Sequence, residues 1–313
     1  MTATTGKKAE AKEPRKLNKV SLLSRSPQDT PAGWANYVFL VVVVFISAWP
    51  IYWMGIMSTW TEDKVTKAGA PEVTIGPEFL FNLEIIMGWK KNVQGYPSYD
   101  SVDFMRSFLN TILVVAIITA GTLFFCSLAG FAFAKLRFRG RDPLFLLVVL
   151  TLTIPAQLGI VGAYQIHDQL GWIGTPLAVT VPALVSAFGV FYMRQFIEDA
   201  IPDEIIESAR VDGASTFRVY WNIAVPVIRP AMGVLGLITA IAAWQEYIWA
   251  LVAVGGTDWQ TLGPALHNLR AGSTPKYSII LTGSFLATFP LIILLLIAGR
   301  QIVRGIMEGA VKA

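Results

Sequence analysis

The chain has 313 residues, of which 54% are hydrophobic and 15% charged, and it carries a formal net charge of +4. Soluble domains hold nearer to about a quarter charged residues, so this composition excludes an ordinary water-soluble globule and points to a membrane protein. The small positive excess is sorted by segment along the chain and gives no reason to expect a nucleic-acid partner.

Residues 1–32 are rich in Lys, Ser, Thr and Pro and show no apolar period, which predicts a disordered tail. Beyond them the ionisable residues leave uncharged runs at 33–61, 107–134, 144–166, 169–193, 230–245 and 277–299. A helix needs about 20 apolar residues to cross the hydrocarbon. Five runs meet this directly. The fifth in order qualifies if it absorbs Glu246 and continues to about Val254, which makes six spans. Pro155, Pro182 and Pro290 fall inside spans and predict kinks. The segment 62–106, with seven acids against five bases, reads as folded-back turns rather than a domain. Of the 25 Lys and Arg, 18 lie in 1–32, 135–143, 194–229 and 300–313. The positive-inside rule therefore places both termini and the 194–229 loop in the cytoplasm. Cys126 has no second cysteine to pair with, and His167 and His267 fall in different outer loops, which argues against a structural metal site.

The loop 194–229 departs from a plain positive-inside segment, with six acids and four bases. Pro202 suits a first helical turn, and Asp203 and Glu204 suit the positive end of that helix. Glu207 and Arg210 are spaced to pair at i, i+3, while Ala209 and Gly213 leave a low strip on one face. Ser215 is placed to cap a second short helix, on which Phe217, Tyr220 and Trp221 fall on one side. The prediction is helix, glycine turn, helix. An amphipathic hairpin on the inner leaflet would account for the aromatics, but an anionic surface repels so many acids. A protein partner accounts for both.

Glu207-Ser208-Ala209-Arg210-Val211-Asp212-Gly213, followed after nine residues by Ile223-Ala224-Val225-Pro226, resembles the cytoplasmic EAA loop of ABC-importer permeases. That pattern is Glu-Ala-Ala, three residues, Gly, nine residues, then Ile-x-Leu-Pro. Glu207, Ala209, Gly213, Ile223 and Pro226 match it, and Ser208 and Val225 are mild departures. The resemblance extends to the maltose-type sugar permeases over about residues 34–313. It is carried by Asn110-Thr111, Ala134-Lys135-Leu136-Arg137-Phe138, Ile154-Pro155, Phe188-Gly189-Val190-Phe191 and Gly305-Ile306-Met307-Glu308-Gly309. The span count and order are similar to those of the smaller permease of a pair.

This resemblance implies an all-α integral membrane protein with six transmembrane helices, the type I ABC-importer permease fold. Residues 33–313 would form the permease domain, with a cytoplasmic coupling-helix loop at about 196–228. It implies a multi-pass subunit of a bacterial plasma (inner) membrane, embedded in the lipid bilayer. Its partners would be a second permease subunit, two copies of an ABC ATPase subunit and an extracytoplasmic solute-binding protein that delivers a sugar or oligosaccharide. The chain has no G-x-x-x-x-G-K-[ST] loop to cradle nucleotide phosphates. No cofactor is expected on this chain, and ATP and Mg2+ belong to the partner ATPase, so the subunit is not itself an enzyme. Glu207, Ser208, Ala209, Gly213, Ile223 and Pro226 would form the coupling loop.

Asn110, Trp244, Gln245 and Glu246 are candidates for the translocation path. Related permeases carry Trp-Asn-Asp or Trp-Asn-Glu where this chain has Trp244-Gln245-Glu246. An acid within a span faces protein or water, so Glu246 either meets sugar hydroxyls or makes a structural hydrogen bond; both readings are open. Gly255, Gly256, Asp258 and Trp259 are candidates for contact with the binding protein, two glycines loosening the backbone and Trp259 offering a stacking face. A surface turn is the plainer alternative. The same subfamily includes permeases for glycerol phosphate and related solutes, but no span here holds a Lys or Arg to meet an anion. A self-sufficient secondary transporter would be expected to carry an intramembrane ionisable network, which these spans lack.

Overall fold

The computed structural model describes residues 33–67, 73–91, 93, 103–271 and 275–310, with the side chains of 156, 271 and 297–310 excepted. The proposed tail, 1–32, lies outside them. Two compact units divide the chain, Met1–Pro50 and Ile51–Ala313. In the first, the opening part of helix α1 (Trp34–Met57) is a run of Val, Phe, Leu and Ile whose side chains are nearly all exposed. An unbroken apolar surface of that kind is the surface lipid would wet.

The second unit is built around α4 (Phe104–Lys135), about 48 Å long at the standard rise. Asp103 starts it by accepting a hydrogen bond from Arg106 N at 2.9 Å. Helix α8 (Ala187–Ala200) crosses α4 closely because glycine stands on both sides of the contact. A Cβ on Gly130 would lie 2.8 Å from the backbone nitrogen of Arg194, and one on Gly189 would lie 2.8 Å from Cys126 Sγ. Without hydrophobic drive between helices in lipid, such small-residue contacts carry the packing.

The expectation of one continuous span over 144–166 is corrected. The run folds as two helices, α5 (Arg141–Thr151) and α6 (Ile160–Gln169), separated by an irregular step and a 3₁₀ turn at Ala156–Gly159. Pro155 has no N–H to continue the ladder and pushes Ile154 out of the helical region. Thr151 and Thr153 also donate their hydroxyls to carbonyls three residues back, Val148 and Leu150. Pro182 likewise falls in a 3₁₀ turn (Val181–Ala183) after α7 (Pro176–Thr180), and α8 restarts where Ser186 caps Gly189 N at 2.9 Å. Pro290, by contrast, sits inside an unbroken α14 (Tyr277–Ala310).

The fifth run is corrected too. It does not pass through Glu246. Helix α11 (Val225–Gln245) ends there, and Glu246 Oε1 accepts from Trp249 N at 2.9 Å, starting the short α12 (Ile248–Val254). The span gains its length at the other end instead. α10 (Thr216–Val219) runs through a π-turn at Tyr220–Ala224 into α11, giving a 30-residue helical segment from Thr216 to Gln245. Five helical segments among the described residues are long and apolar enough to cross a membrane.

Among the described residues of the segment 62–106, two short helices precede α4: α2 (Glu62–Lys67) and α3 (Phe79–Ile86). Fully buried Asn82 ties α3 to the end of α1 by donating to the carbonyls of Ser58 and Trp60. Ile85 and Ile86 of α3 pack with Phe104, with Leu262, Ala265 and Leu269 of α13 (Leu262–Ala271), and with Ile279 and Ile280. This apolar seam joins α3 to α13 and α14.

Candidate functional site

The loop between α8 and α11 holds α9 (Asp203–Val211), a glycine turn and α10, in the predicted order. The turn closes α9 by two hydrogen bonds: Gly213 N donates to Arg210 O and Ala214 N to Ala209 O, each at 3.0 Å. This pairing requires a left-handed residue at the turn, and Gly213 supplies it with φ of 80°. Ser215 then starts α10 by accepting from Arg218 N at 3.4 Å.

Two layers separate along the loop. Ile206, Val219 and Tyr220 are buried in the main apolar cluster with Phe131, Met193, Ile197 and Ile228, and Ala209 and Ile223 pack partly against it. Glu207, Ser208, Gly213 and Pro226 are exposed, together with Ile205, Val211, Phe217 and Trp221. Val211 is 88% exposed, an unusual position for a valine with no partner over it. The three aromatics expected on one side therefore divide. Phe217 and Trp221 stack outward with ring centres 6.3 Å apart, whereas Tyr220 turns inward and its hydroxyl lies 2.7 Å from that of Ser127 on α4. Helical spacing accounts for this division, since Phe217 and Trp221 are four residues apart on one face and Tyr220 lies about 100° round from Trp221.

Glu207 does not pair with Arg210. Its carboxylate lies 3.8 Å from Arg137, just past the end of α4, while Asp203 meets Lys135 at 2.7 Å. Two segments read separately in the sequence, Lys135-Leu136-Arg137 and the acidic helix, are thus one ion-paired junction. Lys135 is the buried member, with its side chain 5% exposed, and Asp203 is open to solvent. The Lys135 ammonium, hydrogen-bonded and close, holds the Asp203 carboxyl below its ordinary range, helped by the nearby charges of Arg137 and Arg141.

The second feature is a cavity of about 610 Å³ between α4, α6, the Val179–Phe188 stretch and the end of α11. Trp244 and Glu246 line it, and Asn110 and Gln245 do not. Asn110 spends its amide on Gln260 O at 2.8 Å, holding the loop before α13. Trp244 donates its indole N–H to Ala287 O at 3.2 Å, leaving only its ring face to the cavity. His167, Trp249 and Thr261 also line it; the sequence put His167 and Thr261 in two different outer loops and Trp249 in the extended fifth span, so nothing there brought the three together. At the loop after α12, Gly256 has φ of 74°, and Thr257 donates to Trp259 O. Trp259 is half-buried against the Val114–Ile118 cluster rather than projecting, while Asp258 is exposed.

Helices long and apolar enough to cross a membrane, an exposed apolar and acidic loop and a cavity at the far end of the Thr216–Gln245 segment are features that suit a membrane transport component. Residues 126–308 match the family described as the binding-protein-dependent transport system inner membrane component. The chain belongs to that family. It is 29% identical to the lactose transport system permease protein LacG of Rhizobium radiobacter over 88% of this chain and 95% of that protein. It is 27% identical to the sn-glycerol-3-phosphate transport system permease protein UgpE of Shigella flexneri serotype 5b (strain 8401), over 87% of this chain and 95% of that one. Its fold is similar to a chain of a bacterial ABC transporter involved in the import of the acidic polysaccharide alginate. There the TM-score is 0.70 and the identity 21%, over 87% of this chain and 99% of the other.

Proposed function

We propose that this chain is one of two permease subunits of an ATP-driven importer and forms half of the path for a sugar or oligosaccharide. A solute-binding protein delivers the solute from outside. Two ATPase subunits in the cytoplasm bind ATP and Mg2+, and the chain itself hydrolyses nothing. The observation that carries this reading is the two-layered loop: Ile206 and Tyr220 fix it to the spans, while Ile205, Val211, Phe217 and Trp221 stand exposed among acids. A protein cleft fits such a face, with apolar residues filling it and charges at the rim. Closure of the ATPase dimer would push α9 and α10, and the Lys135–Asp203 and Arg137–Glu207 pairs would pass the push to α4. The topology that accompanies this reading has both termini in the cytoplasm of a bacterial inner membrane.

A glycerol-phosphate importer is the second reading, favoured by the UgpE relative. The cavity speaks against it: among its described lining residues there is one carboxylate, Glu246, and no Lys or Arg. An anion would enter such a site with no charge to meet it. The test is co-expression with the second permease, ATPase and binding protein, followed by uptake into proteoliposomes. Lactose and other neutral sugars should drive ATP hydrolysis through the loaded binding protein, and sn-glycerol-3-phosphate should not. Transport by this chain without ATPase subunits would overturn the assignment.

A further inference from the structure

The chain leading into α3 is fastened to the end of α1. Tyr52 donates its hydroxyl to Val73 O at 2.8 Å, and Trp60 its indole N–H to Thr74 O at 3.0 Å. Gly76 N donates to Thr59 Oγ1 at 2.7 Å, and Glu78 N to Thr59 O at 2.8 Å. Gly76 is turned onto α1, for a Cβ there would collide with Thr59 O and lie 2.6 Å from the Trp60 ring. Residues 73–76 therefore lie beside the closing turns of α1, not above them as a free loop would.

The side of this segment that faces away is apolar. Val73 is 53% and Ile75 78% exposed, and no charge stands between Glu72 and Glu78. Tyr52, bonded to Val73, and its neighbour Trp53 are exposed as well, so the two aliphatic side chains belong to a wider apolar patch. Tyr and Trp concentrate at the headgroup level of a bilayer. Lys64 Nζ stands 4.1 Å over the Trp60 ring, a cation and an indole together, as that level favours. A soluble partner approaches from the water beyond the end of a span, and a face beside the closing turns of α1 lies below its reach. Lipid meets that face without rearrangement. The depth is that of the headgroup–acyl boundary, into which an apolar face sinks about 5–10 Å. Water still reaches backbone there, whereas deeper every group would need a protein partner.

We propose that residues 73–77 form a lipid-binding element, with Val73 and Ile75 seated in the acyl–glycerol region of the phospholipid leaflet around the outer end of α1. The proposal rests on the reading of α1 as a span with this end outside, and it adds a membrane contact within a segment otherwise assigned to the outer aqueous side. Glu62 of α2, close to Trp60 in the chain, accepts from Ser278 N at 2.9 Å at the start of α14. Lipid, α1 and the last span thus meet at one junction.

The test uses the assembled importer in phosphatidylcholine nanodiscs, with bimane attached in detergent to Ile75→Cys or to Lys67→Cys. Lys67 is exposed on α2, and Cys126 is fully buried and silent. Phosphatidylcholine brominated in the upper acyl chain should take about half the fluorescence of the Ile75→Cys label and spare the Lys67→Cys label. Iodide in the water should do the reverse, and loaded binding protein should change neither. Gly76→Ala, whose Cβ collides with Thr59 O, should free the segment and shift the Ile75→Cys label toward iodide. Tyr52→Phe, which loses the donor to Val73 O, should do the same and carries the comparison where Gly76→Ala does not accumulate.

Iodide quenching at Ile75→Cys as strong as at Lys67→Cys, without lipid quenching, overturns the element. It leaves sugar import standing, which sugar-stimulated ATP hydrolysis in the same discs reports independently. Shielding from iodide that appears only with loaded binding protein makes the patch that protein's dock. Shielding from both quenchers that ends when the second permease is omitted makes it a subunit interface. Either result overturns the lipid assignment, and so does lipid quenching that neither variant weakens, because the tie to α1 would not set the depth.

Discussion

Gly213 holds φ of 80°, and a Cβ placed on it would meet no atom of this chain. The reason for glycine there is therefore the left-handed backbone, not crowding within the subunit. A β-branched residue in that conformation costs about 1–2 kcal/mol. Gly213→Val should disorder the turn that joins α9 to α10, and so weaken recovery of the ATPase or its stimulation by loaded binding protein, with membrane levels of the chain near normal. Glu207→Lys should do less. Its partner Arg137 is 3.8 Å away and both side chains are largely exposed, a pair worth on the order of 0–1 kcal/mol. Co-purification and stimulated ATP hydrolysis for the two variants check the order; if the effects come out reversed, the rim charge outweighs the turn. Gly213 was legible from sequence because only one residue type suits that backbone. Tyr220 was legible only as part of an aromatic stripe. Its burial rests on a contact with Ser127 of α4, 93 positions away in the chain, which no local pattern announces.

At the scale of elements, the junction of α4 with α9 carries the most testable electrostatics. Lys135 lowers the Asp203 carboxyl pKa, so the pair's contribution is fully present above the ordinary carboxylate value of about 3.9. It is lost only as the pH falls through the lowered value, when the native carboxyl finally takes a proton. The difference in thermal midpoint between the parent and Asp203→Asn should thus be constant from neutral pH down to about 5 and shrink below about 4. A difference that instead varied between pH 6 and 8 would implicate another group. Asp203 is open to solvent, so the midpoint difference should be small and should fall further with added salt. The elements themselves were legible where one residue type dominates: the caps at Ser215 and the turn at Gly213 follow directly from their chemistry. The ends of spans were not. Hydropathy counts residues without seeing that Glu246 can cap α12, or that Pro155 with Thr151 and Thr153 divides an apolar run in two.

At the scale of the whole molecule, sequence and structure meet in the expected order of spans and loops, and differ in how many cross unbroken. Single cysteines in 62–106 and 255–276 should label from outside, and those in 135–143 and 200–225 only from inside. Labelling of the Gly213 region from outside would overturn the topology. The broken stretch between α5 and α6 adds a sharper expectation. Ile154 and Leu158 are 62% and 77% exposed in the isolated chain, and non-helical backbone at membrane depth survives only against protein or in a water-lined space. Cysteines at these two positions should therefore change their labelling when the second permease is absent. Unchanged labelling would mean that lipid alone covers the break. The cavity was the least legible part, since its walls come from five stretches spread along the chain from Thr111 to Gly263.

The continuous helix from Thr216 to Gln245 has a consequence for distance and leverage. Thirty residues span about 45 Å, so a tilt of about 5° applied at one end displaces the other by about 4 Å. Its lower end carries Phe217 and Trp221, and its upper end carries Trp244 and abuts Glu246 in the cavity wall. A push too small to rearrange any packing at the Phe217 end would therefore shift the cavity wall by more than the length of a hydrogen bond. On the proposed coupling, a stroke carried across the π-turn and past Pro230 would both announce ATP and loosen the cargo.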